Sequence, residues 1–207
     1  LKLFLGKKHT RSDIYWFHAA SLGEFYQIKP IIEGMKKIKK ENVMFISFSS
    51  PSGMNYAFSD AIDLKFYLPF DFPWTIQKVL SLVKPKKVIF ATYDIWPNFV
   101  WFCKTKNIHL NVMSAKIGHH AIKYRPVITN FYKSLYKLFD TIYTITEKDK
   151  NRFERMLGSK VNPMISALGN PRFDKIFNEY KEFIESKPVI KDREQIILIG
   201  SSHSKDD

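Results

Sequence analysis

The sequence predicts an α/β fold, a parallel sheet with helices on both faces, and three observations favour it. Short clusters of β-branched and aromatic residues alternate with longer helix-like segments, which is typical of a parallel sheet. Hydrophobic residues make up 45% of the 207 residues, enough to bury a sizeable core. Proline lies in the first turn of two predicted helices, where its missing N–H costs nothing.

Seven clusters have the composition of strands, and helices are predicted between most of them. The clusters are 14–19, 43–48, 64–68, 87–91, 108–113, 140–145 and 195–199. In the first helical segment apolar residues recur at helical spacing from Phe25 to Ile38, and Pro30 is expected to kink this helix or mark a restart within it. Further helices are predicted at about 72–83, 96–106, 120–138, 147–157 and 173–187.

The alternation of strands and helices changes near Gly169. The segment "LGNPRFD" is rich in turn-forming residues, and "QIILIGSSH" begins another strand that is followed by a Gly-Ser loop. We therefore expect an N-terminal domain at 1–166 and an interdomain segment at 167–190. The remainder, 191–207, is expected to be the first strand and loop of a truncated second domain.

The charge of the chain favours anionic partners. Lys and Arg outnumber Asp and Glu by 33 to 20, which leaves a formal net charge of +13. Such a field attracts nucleic acid, phosphorylated ligands or an anionic membrane surface, and it does not choose among them. The single cysteine, Cys103, excludes an internal disulfide and is expected to be a buried packing thiol. No Cys/His set has the spacing of zinc ligands.

No membrane-spanning helix is predicted. The longest uncharged stretch, 42–59, contains "SFSSPSG", whose proline, glycine and serines are unsuited to a helix that crosses a bilayer.

Four polar segments follow predicted strands and are candidates for one crevice. They are "SLGE" at 21–24, "SSPSG" at 49–53, "TYDIWPN" at 92–98 and "SAKIGHH" at 114–120. In an open parallel sheet the carboxyl ends of the strands meet at one edge, and ligands bind there.

Glu24 has two interpretations. Ser21 and Glu24 match the S-x-x-E capping box, in which the two side chains bind backbone N–H groups at the start of a helix. The same position exposes a carboxylate at the end of a strand, where the helix dipole favours the ionised form that accepts a proton. Gly23 lets a ligand approach the backbone closely.

The other candidates also have a structural alternative. "SSPSG" is either a plain turn or an anion cradle that includes Ser50 and Ser52. Asp94 is either a helix cap or a proton carrier, and His18 is expected to be a hydrogen-bonded core histidine. The aromatic residues at 96–102 are expected to lie mostly in the core. Four basic residues form either a solvated surface or a phosphate-binding patch: Lys116, His120, Lys123 and Arg125.

Seven segments together resemble the successive motifs of the Kdo transferases. They are "WFHAASLGE", "SSPSG", "YLPFDFP", "YDIWPN", "SAKI", "GNPRFD" and "GSSH", within residues 14–207. This family moves 3-deoxy-D-manno-octulosonic acid (Kdo) from CMP-Kdo onto lipid A precursor. The resemblance implies the N-terminal half of a GT-B glycosyltransferase, whose two Rossmann-like domains face a cleft. The present domain would be the acceptor side.

The resemblance also assigns residues. Glu24 corresponds to the proposed catalytic base of the family. Thr92, Tyr93 and Asp94 stand where the family pattern has E-T-E, and Lys116 stands where it has Arg. The expected acceptor-binding residues are Ser21, Gly23, Ser50, Ser52, Asp94, Asn98, Lys116, His120 and Lys123. The expected donor-binding residues are Asn170, Arg172, Ser201, Ser202 and His203.

The hypothesis is an inverting glycosyl transfer in which Glu24 deprotonates the acceptor hydroxyl, with no metal and no cofactor besides the donor substrate CMP-Kdo. The expected partners are lipid A precursor and the anionic cytoplasmic face of the inner membrane, where the protein would be peripheral. Nucleic acid is not expected. The 207-residue chain alone is expected to be inactive and soluble.

Two alternatives remain open. One is a non-catalytic basic module that binds anionic lipid or nucleic acid, with Glu24 serving only as a helix cap. The other is a GT-B transferase for a different activated sugar.

Overall fold

The computed structural model describes residues 12–92, 94–117, 126–158 and 163–186. The strands in these ranges are β1 (Ile14–Ala19), β2 (Val43–Phe48), β3 (Leu64–Tyr67), β4 (Lys87–Ala91), β5 (His109–Ala115), β6 (Thr141–Thr144) and β7 (Met164–Ala167). The helices are α1 (Leu22–Ile38), α2 (Pro51–Tyr56), α3 (Pro73–Val83), α4 (Pro97–Thr105), α5 (Pro126–Tyr136), α6 (Glu147–Leu157) and α7 (Pro171–Glu185).

The seven strands form one parallel sheet, which confirms the predicted fold class. Their order is β3-β2-β1-β4-β5-β6-β7, so the chain starts in the middle of the sheet and builds outward in both directions. The order in which the chain adds strands reverses between β1 and β4, although these two strands are parallel. In such sheets the crevice for ligands opens at this point, outside the carboxyl ends of the strands.

Two apolar cores lie on opposite faces of the sheet. Successive residues of a strand point to opposite faces, so Trp16 and Phe17 of β1 belong to different cores. The Trp16 core includes residues of α3, α4 and α6, and the Phe17 core is closed by α1. Burial on both faces explains why β1, β2 and β4 read as nearly continuous apolar runs.

Helix α1 is amphipathic, as its sequence predicts. Phe25, Ile28 and Ile32 are buried at helical spacing, and each contributes about 1.5–3 kcal/mol of apolar burial. Pro30 lies inside this one continuous helix, so of the two expectations the restart is wrong and the kink stays a prediction.

Two features differ from the sequence analysis. "SSPSG" does not form a plain turn, because Pro51 begins the short helix α2. The strand β7 was not predicted, since its four residues, "MISA", include one β-branched residue and no aromatic residue. The aromatic residues at 96–102 pack mostly in or against the core, as predicted, while Trp101 is 43% exposed. The strand predicted at 195–199 lies outside the described residues.

The chain divides into two compact units, Leu1–Lys175 and Ile176–Asp207. The described residues of the second unit, 176–186, are the end of α7 and the residue that follows it. The domain limits at 166 and 190 stay predictions. No helix within the described ranges is long and apolar enough to cross a membrane.

The packing of α2 on β2 generates a stability prediction. Gly53 is buried, and a Cβ added to it would collide with the ring of Phe48, whereas a Cβ on Gly34 would meet nothing within 4 Å. We expect Gly53→Ala to lower the free energy of unfolding by about 1–3 kcal/mol through overpacking. Gly34→Ala, the matched control in α1, is expected to raise it by about 0.5–1 kcal/mol, because alanine is the better helix former.

Urea unfolding monitored by circular dichroism measures both changes. Equal effects of the two substitutions would contradict the packing of Gly53 against Phe48.

Candidate active site at the carboxyl edge of the sheet

Glu24 lies in the first turn of α1, directly after β1. Ser21 is the N-cap of this helix, and its hydroxyl accepts a hydrogen bond from the Glu24 N–H at 3.4 Å. The Glu24 carboxylate folds back and its Oε2 accepts from the N–H of Ala20 at 2.6 Å. The predicted cap therefore exists, but the Glu24 side chain binds the residue before Ser21 rather than Ser21 itself.

The other carboxylate oxygen of Glu24 reaches across to β4. Its Oε1 accepts a hydrogen bond of 2.6 Å from the hydroxyl of Thr92, which follows the last residue of that strand. Because β1 and β4 are neighbours, this bond spans the point where the sheet order reverses. The carboxylate is thus fixed at the predicted crevice by one donor from each strand end.

A second polar cluster lies beside Glu24 and is centred on His18. His18 is fully buried, and its Nε2 lies 3.0 Å from Asp94 Oδ2. Its Nδ1 lies 2.9 Å from the Ser47 hydroxyl, which also accepts the indole N–H of Trp16 at 2.8 Å. The prediction of a hydrogen-bonded core histidine is confirmed.

The contact with Asp94 fixes the role of one ring nitrogen of His18. Because a carboxylate oxygen only accepts, Nε2 carries a hydrogen and donates to Asp94 Oδ2. The Ser47 hydroxyl, which accepts from Trp16, lies 2.9 Å from His18 Nδ1 and 3.5 Å from the carbonyl oxygen of Phe17. Ser49 also donates to Asp94 Oδ2, at 2.5 Å.

Asp94 is therefore a partly buried anchor rather than a helix cap. Burial raises its pKa, but hydrogen bonds from His18, Ser49 and Trp96 outweigh burial and lower the pKa from 3.8 to about 2. A carboxylate so weakly basic is a poor proton acceptor at neutral pH. The sequence offered Asp94 as either a cap or a proton carrier, and its position between β1, β2 and the start of α4 supports neither role.

The cap of α4 comes from a residue that the sequence did not single out. Asp71, in the loop after β3, accepts hydrogen bonds of 2.9 Å from the backbone N–H groups of Asn98 and Phe99. The amide of Asn98 donates in turn to the Asp71 carbonyl at 2.6 Å. Burial raises the pKa of Asp71 despite these bonds. A cap supplied by a residue 27 positions away leaves no local sequence signal.

Ser50 and Ser52 lie at the start of α2. Their hydroxyl oxygens are 2.9 Å apart, and both residues have access to solvent. Gly53 of the same segment serves close packing against Phe48 rather than access for a ligand. Gly23, by contrast, is exposed and has only Ser21 Oγ nearby, at 3.8 Å.

The remaining predicted site residues fall into two groups. Lys116 follows β5 and is exposed. Asn170 caps the start of α7, where its Oδ1 accepts a hydrogen bond of 3.1 Å from the backbone N–H of Arg172, an exposed residue. The others lie outside the described residues: His120, Lys123, Arg125, Ser201, Ser202 and His203. Their assigned roles stay predictions.

Cys103 is buried, as predicted, and burial raises the pKa of its thiol, so it is a packing residue. Over the part of the chain that the structure describes, no group of His, Cys, Asp and Glu side chains has the arrangement of a metal site.

The arrangement suits one kind of chemistry. The Glu24 carboxylate has about four acceptor positions, and the described contacts use two. It lies at a helix N-terminus, where the dipole stabilises negative charge. A carboxylate held in this way at the predicted crevice is equipped to accept a hydrogen bond, and then a proton, from a substrate hydroxyl.

Solved structures with the same fold define the class. A UDP-N-acetylglucosamine 2-epimerase from Rickettsia bellii superposes with a TM-score of 0.57 over 88% of this chain and 51% of its own, at 15% identity. The chain thus has the Rossmann-like fold found in the N-terminal half of GT-B proteins.

Sequence comparison identifies the family. The family model for 3-deoxy-D-manno-octulosonic-acid transferase (kdotransferase) matches residues 2–175, and the chain belongs to this family. The 3-deoxy-D-manno-octulosonic acid transferase of Aquifex aeolicus is 27% identical over 99% of the chain, and that of Chlamydia trachomatis serovar D is 24% identical over 93%. The chain spans 51% and 46% of these relatives, about half of their length.

The lowered pKa of Asp94 generates a prediction about stability and pH. The pKa of Asp94 is about 2 in the folded protein, against about 3.9 in the unfolded chain. The ionised side chain therefore stabilises the fold at pH values above about 3.9, and this stabilisation is lost as the pH falls toward 2. We expect Asp94→Asn to lower the free energy of unfolding by about 2 kcal/mol at pH 7 and by progressively less between pH 4 and 2.

Asp13→Asn is the matched control, because Asp13 pairs with Lys86 at 2.7 Å on the exposed surface. Its cost is expected to stay below about 1 kcal/mol. Urea unfolding across the pH range measures both variants. A loss in Asp94→Asn that is independent of pH, or no larger than the control, would contradict the assignment of the anchor.

Proposed function

We propose that the chain is the acceptor-side domain of a glycosyltransferase that transfers Kdo from CMP-Kdo to the lipid A precursor. Membership of the Kdo transferase family supports the reaction class. The observation that carries the mechanism is the Glu24 carboxylate, held between Ala20 and Thr92 at the switch point of the sheet.

Glu24 acts as the general base. A hydroxyl of the lipid acceptor donates a hydrogen bond to the carboxylate, and its proton moves to Glu24 as the oxygen attacks the anomeric carbon of Kdo. The bond between that carbon and the phosphate of CMP breaks with inversion of configuration. The departing phosphate needs charge stabilisation rather than a proton, so one base is sufficient and no metal is required.

Asp94 does not share this role. Its pKa of about 2 and its bonds to His18 and Ser49 make it a support for the strand ends. It keeps β1, β2 and the start of α4 in place around the acceptor crevice. Glu24, with acceptor positions left on both oxygens by the described contacts, is the better base.

The charge of the protein suits its substrates and its location. The acceptor carries phosphates, the donor carries a phosphodiester, and the chain has a formal net charge of +13. Exposed Lys116 is the described member of the basic set assigned to the acceptor, and the same charge favours peripheral binding to the anionic face of the inner membrane. The donor site belongs mainly to the second domain, so the 207-residue chain alone does not catalyse transfer.

A panel of activated sugars tests the proposal. In a protein extended to the length of the relatives, we expect transfer to lipid A precursor from CMP-Kdo and not from UDP-N-acetylglucosamine or other nucleotide sugars. Chelation of divalent metals is expected to leave the rate unchanged, because no step uses a metal.

Transfer from a different sugar would replace the donor in this proposal while keeping the fold. The chain of 207 residues serves as the matched control, and normal turnover by it would refute the requirement for the second domain.

A further inference from the structure

We propose that Thr92 is a positioning residue, whose hydroxyl holds the Glu24 carboxylate in the orientation that receives the acceptor's proton. The inference rests on the proposed function of Glu24 and adds a second residue to it. Thr92 does not itself need to touch the substrate.

The contact is short, and its donor is buried. Thr92 Oγ1 donates to Glu24 Oε1 at 2.6 Å, the length of a charge-assisted O–H···O⁻ bond, and Thr92 is 3% exposed. A glutamate side chain has three rotatable torsions, and the Ala20 N–H constrains only the other oxygen. The two donors together fix both oxygens and therefore the plane of the carboxylate.

The backbone of Thr92 is strained. Its φ is +57°, a left-handed conformation that is unfavourable for a β-branched residue. Tertiary structure holds it, since the Thr92 N–H donates to the Met113 carbonyl of β5 at 2.9 Å. Local preference therefore does not place the hydroxyl against Glu24, and such strain concentrates at functional sites.

The neighbouring strand end has the same feature. In the β4–β5 register Ala91 lies beside Met113, so the next residues are Thr92 and Ser114. Ser114 has a φ of +51° and is 2% exposed. Left-handed residues therefore lie near the carboxyl ends of two adjacent strands, Thr92 directly after β4 and Ser114 next to last in β5.

A hydroxyl at position 92 orients Glu24 without adding charge. Threonine contributes one O–H donor, so Glu24 keeps its negative charge and its remaining acceptor positions. An acidic side chain at this distance would place a like charge against Glu24, and the two carboxyl groups would share a proton. The geometry thus favours Glu24 as the single ionised base.

Three substitutions separate positioning from a structural role. Thr92→Val removes the donor and keeps the shape, and Thr92→Ser restores the donor. Thr144→Val is the matched control, because Thr144 is also fully buried and ends a strand, β6, with its hydroxyl bonded to the Thr146 carbonyl at 3.1 Å. The assay is Kdo transfer to lipid A precursor by the protein extended to the length of the relatives, with thermal unfolding measured alongside.

We expect Thr92→Val to lower kcat by about 10- to 100-fold with little change in the KM for the acceptor, because a misplaced base loses transition-state interactions rather than binding. Thr92→Ser is expected to recover kcat to within about threefold of the original. Thr144→Val is expected to keep kcat, whatever its melting temperature. If Thr92→Val does not fold, Thr92→Ala, which lacks the branch that is unfavourable at positive φ, takes its place with the same expected loss.

Other results overturn the inference. An unchanged kcat in a folded Thr92→Val or Thr92→Ala protein refutes positioning by Thr92, as does an equal fall in the Thr144→Val control. A loss that Thr92→Ser does not rescue also refutes it, because the hydroxyl would then be irrelevant. An unsubstituted protein that transfers no Kdo refutes the proposed function instead, and the inference with it.

Discussion

The Glu24 carboxylate accepts one hydrogen bond from the end of β1, through Ala20, and one from the end of β4, through Thr92. These are the two strands between which the order of the sheet reverses. Any change in the start of α1, the twist between the two strands or the turn at Thr92 would move this carboxylate. The geometry of the candidate site therefore depends on the sheet core, where Trp16, Phe17 and Phe90 fix the strands.

The helix-cap role of Glu24 is compatible with its proposed role as general base. Binding the Ala20 N–H satisfies a backbone donor at the start of α1, and it also prevents the side chain from rotating into solvent. Two other carboxylates, Asp94 and Asp71, have structural contacts alone among the described residues. Asp94 is held by His18 and Ser49, and Asp71 caps α4, so both connect loops to the sheet. Among these three carboxylates, Glu24 is the one held between the ends of β1 and β4.

The parallel sheet and the capping box at Glu24 were predictable because their signals are local. β-Branched clusters mark strands, and Ser21 and Glu24 stand three residues apart in the chain. The contacts that complete the site were not predictable in this way. Thr92 reaches Glu24 across 68 positions, and Asp71 reaches Asn98 across 27, so no window of sequence contains both partners. The prediction of a plain turn at "SSPSG" was wrong for a different reason. Its glycine packs closely against Phe48, and composition alone does not distinguish a glycine needed for packing from a glycine in a turn.

The most direct measurement of the central claim compares Glu24→Gln with the unsubstituted protein, each extended to the length of the relatives, in Kdo transfer and thermal unfolding. Glutamine suits a capping box, because its one acceptor oxygen accepts from the Ala20 N–H while its NH2 group can donate to the Thr92 hydroxyl, but it does not accept a proton from the acceptor hydroxyl. We expect kcat to fall by about 100-fold or more while the melting temperature is unchanged. Transfer that survives the substitution would contradict the role of Glu24 as the base and leave it as a helix cap alone.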